Sequence, residues 1–164
     1  MRRREREKTR EFALSIIDKS AHMVLAVTGE DGAPYCVPLS PVRWDDHIYF
    51  HCALEGRKLD AMRSEPRVCM TFVGDAQVPA GRFTTYYESA VAFGRAGEVT
   101  EEGEMVEALR RLCLKYCPED MELFGREVRR SLPRTGIWKI SLDEVTGKSN
   151  FPARRERAAQ ASVE

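Results

Sequence analysis

The sequence predicts a mainly β fold, an antiparallel β-barrel with peripheral helices. Strand patterns follow one another along the chain, short turns join most of them, and the strongest helical pattern comes late. In addition, a long strand pattern over 82–99 contains Gly94 and Gly97. Glycines inside a strand are typical of the bends that close a barrel.

The first half of the chain predicts a helix, three strands, a second helix and a fourth strand. In chain order these are a helix over 9–19, strands over 23–29, 33–44 and 47–52, a helix over 54–64, and a strand over 67–74. The turn at 29–32 predicts that the first two strands form a hairpin. Because Pro38 and Pro41 cannot donate to a ladder, the second strand must lie at a sheet edge or be bulged.

The second half predicts one long strand, two helical segments and a last strand. These are the strand over 82–99, a helix after Thr100, a helical piece over 118–130, and a strand over 135–142. Thr100 is the predicted N-cap of the longer helix. We expect residues 1–150 to form one domain and residues 151–164 to be a flexible C-terminal tail.

The composition excludes several classes of protein. The chain has 26 basic and 26 acidic residues, and this balance argues against a nucleic-acid-binding protein. Basic clusters near both ends are interpreted as solvated chain ends. No apolar run is long enough to span a membrane, and no signal-peptide core follows the basic start. We therefore expect a cytoplasmic protein whose five cysteines are thiols.

The arrangement of cysteines and histidines predicts neither a metal site nor a nucleophilic dyad. His51 and Cys52 are adjacent in a predicted strand, so their side chains point to opposite faces. His47 and His51 would stand roughly 13 Å apart along that strand, too far to share one ion. Neither a GxGxxG nor a Walker pattern occurs in the sequence.

The segment from Tyr49 to Arg63 predicts a site for a phosphate and a flat ring. A strand ending in Phe50 and His51 leads into a helix whose first turn carries Arg57 and Lys58. A helix start attracts anions, and cations in its first turn are poorly placed unless an anion neutralises them. The alternative is an ordinary solvated helix face.

The proline-interrupted segment 37–40 adds a second part to this predicted site. Main-chain groups near Pro38 that are not paired in a sheet can contact the polar edge of a ring. A further short motif, Tyr86-Tyr87-Glu88-Ser89, places aromatic and hydroxyl groups early in the long strand. By themselves these residues are more typical of ordinary strand packing.

Four motifs together resemble a known family. MRRRER, GAPYCVPL, YFHCALEGRKLD and YESAVAFGRAGEV occur in this order along the chain. In this order they are similar to motifs of the flavin-binding split-barrel proteins of the pyridoxamine-phosphate-oxidase-like superfamily, and most like those of its nitroimidazole-resistance (Nim-type) branch. The resemblance covers roughly residues 1–150.

The resemblance implies a split β-barrel that forms a homodimer with FMN at the subunit interface. His51 matches the histidine beside the flavin in the Nim-type branch. Carried over by position, the cofactor-binding residues fall into four groups. Val37, Pro38, Leu39 and Ser40 would contact the edge of the flavin ring; Phe50, His51, Cys52 and Ala53 would line the ring and ribityl chain; Arg57 and Lys58 would hold the phosphate; Tyr86, Tyr87 or Ser89 would reach the flavin of the partner subunit.

The function that this resemblance implies is an FMN-dependent oxidoreductase. It would reduce a small-molecule electron acceptor such as a nitroaromatic, and His51 would orient the substrate or supply a proton. The alternatives are a flavin-binding sensor or reservoir without turnover, and a relative that binds haem or a deazaflavin. A haem would need an axial ligand such as His51 or His22. A pocket that is empty or holds a small carboxylate is a third alternative.

Overall fold

The computed structural model describes residues 2–152, which form nine β-strands and four α-helices. The helices are α1 (Arg10–Lys19), α2 (Arg57–Ser64), α3 (Glu102–Tyr116) and α4 (Phe124–Ser131). The strands are β1 (Glu7–Lys8), β2 (Met23–Thr28), β3 (Pro34–Leu39), β4 (Val42–Trp44), β5 (His47–Cys52), β6 (Arg67–Gln77), β7 (Tyr86–Glu98), β8 (Gly136–Ser141) and β9 (Glu144–Ser149). Three short 3₁₀ segments lie at Arg4–Arg6, Pro118–Leu123 and Leu132–Arg134. Most of the predicted C-terminal tail, residues 153–164, lies outside the described residues.

The strands form one antiparallel sheet that curves around a core. Their order is β3-β2-β6-β7-β8-β5-β4, and β9 pairs with both β7 and β1. β7 is shared by the two halves of the sheet: residues 88–93 pair with β9, whereas residues 96–98 pair with β8. This arrangement, with the four helices at its periphery, confirms the predicted antiparallel barrel.

β7 changes its partner from β9 to β8 around Gly94, one of the two glycines at which a bend is predicted. A Cβ atom at Gly94 would lie 1.7 Å from the main-chain oxygen of Ser141, in the last residue of β8. Only a residue without a side chain permits this approach. By contrast, a Cβ at Gly97 would meet no heavy atom within 4 Å, so the close contact belongs to Gly94 alone of these two glycines.

Two apolar clusters fill the structure. The larger one lies between α1, α2 and the sheet and includes Phe50, Phe72 and Trp138. The smaller one packs α3 against β4, β5 and β8, through residues such as Tyr49 and Leu112. No helix within residues 2–152 combines the length and apolar character needed to cross a membrane.

The structure divides the predicted strand 33–44 into β3 and β4. The break falls at Ser40 and Pro41, since Pro41 has no N–H group to continue the ladder. β3 pairs with β2 alone, so Pro38 lies on an edge strand, as predicted. α2 begins at Arg57, three residues later than the predicted start, because Gly56 has a φ of 134° that is not helical.

Other boundaries also differ from the prediction. The N-cap of α3 is Glu101 and not Thr100, because the Glu101 carboxylate accepts from the N–H groups of Gly103 and Glu104 at 3.0 and 2.6 Å. The strand over 135–142 is not the last one, since β9 follows it. β9 escapes detection because Gly147 interrupts its pattern, and that glycine allows α1 to pack closely, with Ala13 Cβ 3.1 Å from an added Cβ.

Candidate functional site

The start of α2 is an open helix N-terminus. Gly56 occupies the N-cap position, and no side chain there accepts from the N–H groups of the first turn. A Cβ added to Gly56 would meet nothing within 4 Å, so the approach to these donors is unobstructed. Free N–H groups at a helix start bind anions, and the helix dipole favours negative charge there.

Two cations stand at this helix start without a carboxylate partner. Among residues 2–152, neither Arg57 nor Lys58 forms an ion pair within 4.0 Å. The Arg57 guanidinium lies 4.9 Å from the ring centroid of Tyr35, on β3. Burial raises the pKa of the Cys52 thiol at the end of β5, and Lys58 is close enough for its charge to oppose that rise. Of the two cations at the helix start, Arg57 therefore lies against β3, and Lys58 lies near the end of β5.

The start of α2 lies beside the first half of β3, through the Arg57 contact with Tyr35, and the segment 37–40 follows farther along that strand. Val37, Leu39 and Cys52 all pack against the larger apolar cluster. Pro38 is exposed, and the outer edge of β3 pairs with no strand in the part of the chain that the structure describes. The segment 37–40 therefore continues the strand whose Tyr35 contacts Arg57, and its outer edge is paired with no described strand.

The residues at the end of β5 alternate between the core and the surface. Phe50 is 0% exposed, so its ring is screened from any ligand at the surface and only its backbone can line a site. His51 is exposed, whereas Cys52 lies on the opposite, core-facing side. Ala53 is exposed, and its carbonyl would lie 3.0 Å from a Cβ at Gly136, so β8 approaches this segment closely.

Tyr86 and Ser89 lie away from the other predicted site residues. They belong to the start of β7, and two strands, β2 and β6, separate β7 from β3. At a strand spacing of about 4.8 Å, three spacings amount to roughly 14 Å. The Tyr86 ring packs at 5.6 Å from that of Phe151. Within one chain, Tyr86 and Ser89 therefore lie three strand spacings from β3.

A cleft on the other side of α2 has an acidic lining. It lies between the β2–β3 turn and α2 and has a volume of about 480 Å³. Its lining residues are Gly29, Glu30, Asp31, Arg57, Asp60 and Ala61. Three carboxylates against one guanidinium disfavour a phosphate in this cleft. The better candidate for an anion site is therefore the helix start itself, on the side of Lys58.

No metal site is apparent in the structure. Within residues 2–152, no group of three or more His, Cys, Asp or Glu side chains is placed to hold an ion. His47 instead lies beside an aromatic ring, with its centroid 6.3 Å from that of Tyr49.

Sequence reasoning missed three residues around the site. The Arg57 guanidinium lies over the ring of Tyr35. Tyr35 stands two residues before Val37, so the two side chains share one face of β3. The alternation of side chains along this strand could therefore have indicated Tyr35. Lys115 and Tyr116 of α3 contact the loop that follows β3. No sequence signal distinguishes Lys115 from an ordinary lysine on a helix surface.

Solved structures with the same fold include flavin-binding proteins. A proposed 5-nitroimidazole antibiotic resistance protein from Bacteroides thetaiotaomicron has a TM-score of 0.72 at 22% identity, over 87% of this chain and 84% of that one. An FAD-binding protein from Mesorhizobium loti has a TM-score of 0.65 at 21% identity, over 89% and 98%. An FAD and heme binding protein from Mycobacterium smegmatis has a TM-score of 0.74 at 18% identity, over 94% and 80%.

These similarities confirm the split-barrel fold. None of the curated proteins matches the sequence. The sequence profile of one family, described as pyridoxamine 5'-phosphate oxidase, matches residues 9–149, which include every predicted site residue. The chain therefore belongs to the pyridoxamine 5'-phosphate oxidase family.

Proposed function

We propose that this protein is a homodimeric FMN-binding oxidoreductase that reduces a small oxidant such as a nitroaromatic. The observation that carries the proposal is the start of α2. Gly56 leaves the N–H groups of Arg57 and Lys58 without a side-chain cap, and among residues 2–152 these two cations have no carboxylate partner. A phosphate group would satisfy the donors and neutralise both cations.

The charge distribution favours FMN over FAD. One phosphate fits the helix start, where two cations and the helix dipole act together. A second phosphate would have to extend past Arg57 toward a cleft lined by Glu30, Asp31 and Asp60, or toward the neutral Tyr35 ring. Like charges at short range cost free energy, so the described residues offer support for a single phosphate.

An apolar outer face of the sheet supports a dimer. Val24 on β2, Val73 on β6 and Phe93 on β7 are 44%, 60% and 46% exposed. Exposed apolar groups concentrated on one sheet face are typical of a protein–protein interface. A second copy on this face would bring its own Tyr86 and Ser89 toward the first copy. This arrangement would allow these two residues to reach a site that both copies share.

His51 is the candidate proton donor of the proposed site. Bound FMN would supply the redox chemistry, and the protein would position it and tune it. The imidazole of His51 is exposed at the end of β5, beside the segment proposed to line the ring, so it can reach a substrate. We expect His51→Ala to lower turnover by about 10²-fold with FMN still bound. Full turnover in a flavin-loaded His51→Ala enzyme would remove His51 from this role.

The proposal is tested by the visible absorption spectrum of the purified protein, followed by the mass of any molecule released on heating. Flavin bands and the mass of FMN are the expected result. The mass of FAD would correct the cofactor. A colourless protein that does not take up added FMN would overturn the phosphate site at α2.

The same spectrum tests the haem alternative, which one similar structure favours because it is an FAD and heme binding protein. A Soret band would support haem and would make His51 or His22 the candidate ligand. Repeated cycles of nitroaromatic reduction, driven by NADH, NADPH or dithionite, would separate an enzyme from a sensor or reservoir that holds FMN without turnover. The mass of a deazaflavin would identify the remaining alternative.

A further inference from the structure

Two adjacent side chains at the end of α3 bind main-chain carbonyls of two loops. The Lys115 Nζ donates to the carbonyl oxygens of Ser20 and Pro41, both at 2.9 Å. The Tyr116 hydroxyl lies 2.8 Å from the carbonyl oxygens of Ala21 and Pro41. Because a hydroxyl has one proton, it donates to only one of these carbonyls at a time. Both side chains thus converge on Pro41.

Lys115 is an unusual cation for a helix end. Its side chain is half-buried, and within residues 2–152 no carboxylate lies within 4.0 Å of its Nζ. Burial lowers the pKa of Lys115, and the more distant charge of Asp18 opposes the change. Hydrogen bonds from a charged donor are stronger than neutral ones, so this ammonium holds its two carbonyls firmly.

The carbonyl of Pro41 is the point at which the β3–β4 corner is attached to α3. Pro41 has no N–H group, so its main chain can form hydrogen bonds only through its carbonyl oxygen. Its neighbour Ser40 also reaches α3: burial raises the pKa of Tyr116 to about 12, and a hydrogen bond from the Ser40 side chain opposes that rise. Lys115 and Tyr116 of α3 therefore hold the corner at which the segment 37–40 ends.

We propose that Lys115 and Tyr116 are positioning residues for the flavin ring. They hold Ser40 and Pro41 so that the unpaired edge of β3 presents its main-chain groups to the ring. The ammonium also places a positive charge behind this segment, and positive charge near a flavin favours its reduced form. This inference rests on the proposed function, because it acts through the segment that would contact the flavin.

The test compares Lys115→Met, Tyr116→Phe and Lys115→Arg with the wild-type protein. Arg110→Met is the matched control, because Arg110 is an exposed cation on the same helix. The measurements are the Kd of FMN and of riboflavin, the midpoint potential of the bound flavin, and the melting temperature of the apoprotein. Riboflavin lacks the phosphate and so reports on the ring alone.

We expect Lys115→Met to weaken FMN and riboflavin by the same factor, about tenfold, which corresponds to the loss of the charge-assisted hydrogen bond that holds Pro41. The midpoint potential should become more negative. Tyr116→Phe should weaken both ligands by about threefold, since its hydrogen bond is neutral. Lys115→Arg should keep a potential near that of the wild type, and Arg110→Met should change neither quantity.

A folded Lys115→Met protein with the wild-type Kd values and potential would overturn the inference while leaving the proposed function intact. A wild-type protein that binds no flavin would overturn both. If Lys115→Met does not fold, Tyr116→Phe decides: equal weakening of the two ligands supports the positioning role, and unchanged affinities overturn it.

Discussion

Gly56 distinguishes the start of α2 from the starts of the two longer helices. α1 begins after Thr9, whose side chain accepts from Phe12 N, and α3 begins after Glu101, whose carboxylate fills its first turn. At Gly56 the backbone φ of 134° disfavours every residue with a side chain. The same residue that allows the chain to turn into α2 therefore also leaves the N–H groups of Arg57 and Lys58 without a side-chain cap.

Substitution of the two cations should separate the phosphate from the ring. We expect Arg57→Ala and Lys58→Ala each to weaken FMN by about tenfold, the cost of one charge-assisted contact of about 1.4 kcal/mol. Riboflavin affinity should change by less than about twofold, because riboflavin has no phosphate. Flavin fluorescence titration measures both constants, and Arg110→Ala is the control for lost surface charge.

Equal losses for FMN and riboflavin in these variants would contradict the assignment of Arg57 and Lys58 to the phosphate. In that case the Arg57 contact with Tyr35 would be the better explanation, since losing it would disturb β3 rather than the anion.

At the scale of single elements, β7 provides a matched pair of glycines. We expect Gly94→Ala to lower the free energy of unfolding by about 3 kcal/mol or more, because a Cβ there would overlap the main-chain oxygen of Ser141. Gly97→Ala should change it by less than about 1 kcal/mol, since nothing lies within 4 Å. Urea unfolding followed by circular dichroism measures both. Similar values for the two variants would show that β7 does not turn at Gly94.

The elements also show what the sequence could predict. Most strands and helices follow from local periodicity and from prolines, as the edge position of Pro38 illustrates. β9 does not, because its strand character comes from pairing with β7, a long-range contact that propensity cannot report. The roles of Lys115 and of Phe50 could not be predicted from the sequence either. Whether a lysine reaches a distant carbonyl, or a ring faces the core, depends on how the sheet curves.

At the scale of the whole molecule, the proposed dimer makes a direct prediction. We expect Val73→Asp to convert a dimer into a monomer, because it places a charge in the middle of the apolar outer face. Leu123→Asp should leave the dimer intact, since Leu123 is also exposed but belongs to the 3₁₀ segment before α4. Sedimentation velocity gives the result. A monomeric wild-type protein, or a dimer unaffected by Val73→Asp, would contradict the prediction.

Only the part of the candidate site that lies within one chain could be predicted from the sequence. The motif around Arg57 and Lys58 is local in sequence, and the structure places Tyr35, two residues before the segment 37–40, against Arg57. Tyr86 and Ser89 lie three strand spacings from β3, roughly 14 Å, on the same sheet. Their place in the site depends on how two surfaces match, which residue patterns in one chain do not encode.

The passage of β7 through both halves of the sheet has a consequence for how the protein unfolds. β7 is bonded to β6 and β9 along one part and to β8 along the other, without a chain break between them. Neither half of the sheet can open fully while the other half remains hydrogen-bonded to β7. Amide hydrogens of β6 and of β8 should therefore exchange with deuterium through the same global opening, with equal free energies of protection.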